Sequence, residues 1–143
     1  MRRLVTGVDA DGRSCVVEDA ELPVTSVTPG IGMGTVYETD GPTPPARPPS
    51  ERELLPVGLE PGRVRWLVME WGPEATIEIP MHHTDTVDLH IVVSGSVDLI
   101  LDDGAHTVSA GDLVVCGGVD HSWVVGPQGC VLNSFLVGTP PLD

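Results

Sequence analysis

The sequence predicts an all-β protein, an antiparallel sandwich or barrel of about eight short strands. Three observations carry this. The apolar segments are short and rich in Val and Thr, and none holds a helical period. Gly, Pro and Asp-Gly interrupt them at close intervals. Aromatic residues make up only 3% of the 143 positions, so the core must rest on Val, Leu and Ile. That length suits one domain with a single core.

"RRLVTG" and "SCVVED" read as two N-terminal strands, and "GTVYETD" as a third. "GPTPPARPPSERELLP" follows, with six prolines. Proline removes ladder donors, so this is an extended, partly polyproline loop facing solvent or packed across a neighbour. Residues 1–63 thus form N-terminal strands and a Pro-rich loop packing on the barrel, and residues 64–143 form the barrel. There the strands "RVRWLVMEW", "TIEIP", "TVDLHIVVSG", "SVDLILDD", "AHTVSAGD", "LVVCGG", "SWVVG" and "CVLNSFLVG" are joined by short turns. "LDDGAH" is a hairpin signal, and "SAGD" and "GPQGC" are further turns. Such an arrangement leaves few open edges. There is no internal repeat. "GIGMGT" leads into strand-like residues rather than a helix, the wrong context for a dinucleotide loop.

Composition excludes several functions. The net charge is -14, and all seven basic residues are Arg. Nucleic acid and anionic membrane are therefore not expected partners. With no lysine there is no Schiff-base chemistry. No apolar run approaches a membrane span, and "MRRLVTGVDADG" lacks the apolar stretch of a secretory signal. Cys15, Cys116 and Cys130 are odd in number and widely spaced. That argues against a disulfide framework or a structural zinc site and fits a reducing cytoplasm. Cys116 and His121 could be a thiol–base pair, but nothing local would activate the thiol.

The chemically active residues gather in "PMHHTDTVDLHIVVSG", residues 80–95, with three histidines and two aspartates. Asp88, His90 and Val92 alternate on one strand face. His121, Trp123 and Val125 share a face in "CGGVDHSWVV". If both faces point inward, Asp88, His90 and His121 converge, with Trp123 as a wall. Imidazoles with a carboxylate can hold a divalent metal with positions open to substrate. His106, past the Asp-Gly turn, is expected to be exposed. Asp102 and Asp103 are turn residues. Asp85 either orients a histidine or is a solvated turn residue.

Over residues 64–137 these segments resemble the cupins, small β-barrels with two signature motifs. Pro80, His82, Asp88 and Gly95 fit the first, with Thr84 at the second His place and Asp88 at the Glu place. In "AGDLVVCGGVDHSW", Gly111, Asp112 and His121 fit the second. "RRLVTGVDADGRSCVV", "HHTDTVD" and "DHSW" are similar to one subgroup of small bacterial and fungal cupins. The resemblance implies a double-stranded β-helix (jelly-roll) barrel with an N-terminal strand arm. It also implies a site of His82, Asp88 and His121, acting as metal ligands or as an acid/base set.

Thr84 is a poor ligand, Asp88 is a methylene shorter than Glu, and Val125 stands where Asn often follows the second-motif His. His90 would compensate by strand parity, whereas His83 points opposite to His82. The expected metal set is His82, Asp88, His90 and His121, binding Zn, Ni, Fe or Mn. A metal-free pocket is the open alternative. Met81, Thr84, Val92 and Trp123 are expected to line the pocket. The implied functions are a small-molecule enzyme (lyase, isomerase, cyclase/dehydratase or oxygenase) acting on an apolar or aromatic carbonyl or carboxylate metabolite, or a small-ligand-binding module. Residues 2–18 are expected to add to a neighbour's sheet, giving a homodimer.

Overall fold

The computed structural model describes residues 1–75 and 80–142. The strand expected at "TIEIP" falls largely on residues 76–79 and lies outside the described residues. The described residues form an all-β structure without a helix, so none contains a helix long and apolar enough to cross a membrane.

In chain order the strands are β1 (Arg2–Val8), β2 (Ser14–Glu21), β3 (Thr25–Thr28), β4 (Ile31–Met33), β5 (Glu53–Leu54) and β6 (Val64–Trp71). There follow β7 (His82–His83), β8 (Thr86–Leu101), β9 (Gly104–Ser109), β10 (Leu113–Cys116) and β11 (Ser122–Gly138). The main sheet runs β2-β1-β10-β8-β11-β6, with β9 on β8. Among the described residues β2 and β6 do not pair, so the ladder does not close on itself.

β8 and β11 each merge two segments that the sequence separates. The first half of β8 lies between β10 and the second half of β11. Its second half lies between β9 and the first half of β11. Glycines make this change of neighbours feasible. Gly95 has φ 72°, and a Cβ there would sit 2.0 Å from the carbonyl oxygen of Gly129. Gly129 has φ 78° and faces the carbonyl of Trp71 in the same way. No side chain fits that approach, and the conformation is costly for any L-residue with a Cβ. The turn expected at "GPQGC" is the register shift between Val125 and Cys130 within β11.

Three other expectations differ. "GTVYETD" forms no strand; the third strand is β3, paired with β4. The carbonyls of Thr35 and Val36 instead accept hydrogen bonds from the Arg3 guanidinium, at 3.0 and 3.1 Å. The pairings are not all antiparallel. β1 runs parallel to β10, and β5 parallel to β7. No short turn joins either pair, so no hairpin fixes their sense. Residues 2–18 were expected to cross to a neighbour, yet β1 occupies the edge of this chain's own β10.

The Pro-rich loop also folds back on its own chain. Arg47 pairs with Asp85 at 2.7 Å, Ser50 donates to Asp120 at 2.6 Å, and Arg52 pairs with Asp102. The Leu55 amide donates to the His83 carbonyl at 2.8 Å. The core is aliphatic, as the composition requires: Leu4, Val92, Val97, Leu99, Leu101, Val108, Val114 and Leu132 are buried.

Candidate active site

Register decides which side chains meet. Cys116, Asp88, Leu136 and Arg65 are aligned across β10, β8, β11 and β6. Two residues along, Val114, His90, Ser134 and Leu67 form the next row. Val92, Leu132 and Met69 form a third. Side chains in register on a pleated sheet share a face. This face forms the floor of a cavity of about 540 Å³.

His82, Thr84, Asp88, His90, His121 and Trp123 all line the cavity. Val92 faces the same side but is sealed in the core, 1% exposed. Met81 is half-buried and does not line the cavity. His83 is buried with its ring elsewhere, Nδ1 lying 3.2 Å from Asp120. His106, expected to be exposed, is half-buried and pairs with Asp103 at 2.7 Å. Asp85 orients no cavity histidine; it pairs with Arg47.

The two motif histidines are locked together through the backbone. The His82 amide donates to the His121 carbonyl at 3.0 Å, and the reverse bond is 2.8 Å. Their rings lie with centroids 4.6 Å apart. Each Nδ1 meets a backbone carbonyl: Pro80 at 3.0 Å for His82, Val119 at 2.8 Å for His121. A carbonyl can only accept, so each Nδ1 carries the hydrogen. In the neutral ring, Nε2 is then the nitrogen with the free lone pair. Behind the pair, Asp120 joins His83, Ser50 and Arg52, which fixes the neighbours of both rings.

Burial sets the charges. It lowers the pKa of His82, helped by nearby His121 and opposed by the Pro80 carbonyl and Asp120. It lowers His90 from 6.5 to about 3, with His121 adding to the effect. His90 Nδ1 lies 2.7 Å from Ser134 Oγ, while Nε2 is buried without a partner. Burial raises the pKa of Asp88, against the Thr86 hydroxyl and the charge of His121. Asp88 Oδ1 is also buried without a partner. A carboxyl so placed favours its neutral, proton-donating form. Burial, with the charge of Asp88, raises Cys116 to about 12, so its thiol is inert although Sγ lies 3.6 Å from His121 Nδ1.

The donor types suit a divalent metal, but their placement does not. Among the described residues no group of three or more His, Cys, Asp or Glu side chains is arranged to hold an ion. The chemistry this arrangement offers directly is proton transfer between two imidazoles and a carboxyl whose neutral form burial favours.

Several lining residues were not singled out from sequence. Leu55 and Val57 come from the Pro-rich segment, and Arg65, Leu67, Met69 and Trp71 from alternate positions of β6. Trp71 and Trp123 stand with ring centroids 6.3 Å apart, a tilted aromatic wall. The alternation of Arg65, Leu67, Met69 and Trp71 is a legible signal, but it is obscured because Val64, Trp66 and Val68 make the other face equally apolar.

No protein-family model matches the chain. Over 44 residues it is 39% identical to phomopsin biosynthesis cluster protein C' of Diaporthe leptostromiformis. It is equally similar to phomopsin biosynthesis cluster protein D of the same organism. The matched stretch is 30% of this chain and 23% of each relative, so the chain spans about a quarter of the length of the curated relatives it matches.

Proposed function

We propose that this chain is a cupin-type double-stranded β-helix whose cavity performs metal-free acid–base chemistry on a small aromatic or apolar carbonyl compound. The fold reading rests on the two motif regions and on the long strands that change neighbours at Gly95 and Gly129. The functional reading rests on one observation. Two imidazoles with Nδ1 held by carbonyls line one cavity with a buried carboxyl of raised pKa.

The roles follow from the charges. His121 Nε2, with His82 beside it, removes a proton from the carbon next to a substrate carbonyl. Asp88 donates its proton to the carbonyl oxygen, and the product is an enol. Return of the proton to another carbon is isomerisation. Loss of a β-hydroxyl as water is dehydration, and attack of the enol carbon on a second carbonyl is cyclisation. His90, lowered by burial to about 3, and Trp123 shape the cavity around the aromatic part. The local likeness to proteins named for a biosynthesis cluster accords with such chemistry. The three free cysteines accord with a reducing cytoplasm.

The test is hydrogen–deuterium exchange at the methylene of 3-phenyl-2-oxopropanoate in D2O, followed by NMR. Wild type is expected to accelerate exchange, and His121→Ala to lose about a hundred-fold. Binding without exchange in wild type would leave a ligand-binding cupin without catalysis.

We further propose that the working unit is a homodimer. Trp66, Val68, Ile91, Val93 and Phe135 are exposed on the sheet face opposite the cavity. In a chain of charge -14, an apolar patch of this kind is where a second copy can approach with the least repulsion.

A further inference from the structure

We infer that Arg65 is the subsite for a substrate carboxylate, so the cavity selects small aromatic acids over their neutral analogues. This rests on the acid–base reading above and adds to it what holds the carboxylate of the substrate.

Charge leads to Arg65. Acidic residues number 21 against seven arginines. Five arginines, at 2, 3, 13, 47 and 52, are paired with carboxylates of the chain. Among the described residues Arg63 and Arg65 are in no ion pair, and only Arg65 lines the cavity. An arginine in no ion pair among the described residues of so acidic a chain is a position where an external anion can bind.

Geometry supports the same residue. Arg65 Nη1 donates to the Val57 carbonyl at 2.9 Å, which ties the guanidinium to the Pro-rich strap at the cavity edge. A guanidinium has five donors, so the bond to Val57 leaves four for a bidentate partner. Arg65 and Asp88 lie in one row with only Leu136 between them. Two strand spacings put their backbones about 10 Å apart. The tryptophan pair and Leu67 line the same cavity. A carboxylate held on Arg65 would set the acid along the row that leads to Asp88, whose Oδ1 is buried and unpartnered.

The experiment compares 3-phenylpropanoate with 3-phenylpropanamide, which has nearly the same shape but no charge. Binding is followed by NMR shifts of the Trp71 and Trp123 indole N–H signals. Wild type is expected to bind the acid about ten-fold more tightly than the amide. Arg65→Gln, which retains a donor for the Val57 carbonyl, is expected to remove that preference while leaving amide affinity within about two-fold. Arg65→Lys should restore part of the preference, and Arg63→Gln should retain all of it. Equal binding of acid and amide to wild type, or a preference that survives Arg65→Gln, overturns the assignment and leaves the cavity reading standing. Failure of both probes to shift either indole overturns the two together.

Discussion

His90 is the residue on which strand parity makes its sharpest statement. The alternation Asp88, His90, Val92 put it on the inward face, and it lies there against Trp123 with ring centroids 5.3 Å apart. Its burial has a pH consequence. An imidazole lowered from 6.5 to about 3 leaves the unfolded chain holding more protons across that window. Its contribution to stability is complete above 6.5 and falls as pH drops, by up to about 1.4 kcal/mol per pH unit. His82 is lowered too and has the same sign just below 6.5. Asp88 has the opposite sign. Its raised pKa costs stability above 3.8, a cost relieved as pH falls from the raised value towards 3.8. His90→Gln removes one of these terms and keeps a group that can bond Ser134. Denaturant titrations between pH 6.5 and 4 should then show a shallower loss for the variant, by about 1 kcal/mol per pH unit. Parallel curves for variant and wild type would show that the imidazole is not held neutral.

Elements whose backbone demands a particular residue were readable in part. The Asp-Gly hairpin between β8 and β9 and the strand cores appear directly in the pattern. The continuity of β8 through Gly95 does not, because a glycine among strand residues reads as a stop, whereas here it carries the strand between ladders. The strap over residues 47–57 was equally hidden. Its anchors Asp85, Asp120 and His83 are distant in sequence, and local pattern has no access to such pairs. Gly95→Ala tests the crossing itself. The left-handed backbone and the contact with the Gly129 carbonyl should together cost at least about 2 kcal/mol in urea unfolding. A loss under about 0.5 kcal/mol would mean that β8 and β11 do not cross so closely.

At the scale of the whole molecule, the all-β class came from alternation, and the set His82, Asp88, His90 and His121 from alternation together with the resemblance to the cupin motifs. What sequence could not supply was the partner of each strand. β1 was expected on a neighbouring subunit and lies on β10 of its own chain. The case for a dimer therefore rests on the outer face, where Trp66 is 70% exposed. Light scattering at micromolar concentration should give a dimer mass for wild type and a monomer for Trp66→Asp, both folded. A monomeric wild type would remove the proposed assembly without touching the cavity.

In the proposed chemistry the cavity moves protons with its own side chains. The most direct measurement is the exchange of the 3-phenyl-2-oxopropanoate methylene in D2O with excess EDTA present, for wild type, His121→Ala and His83→Ala. His83 is the control, because its ring bonds Asp120 and does not line the cavity. Catalysed exchange is expected to be unchanged by EDTA, lost by about a hundred-fold in His121→Ala and largely kept in His83→Ala. Exchange that EDTA abolishes and added Zn, Ni, Fe or Mn restores, or exchange indifferent to His121, would contradict it.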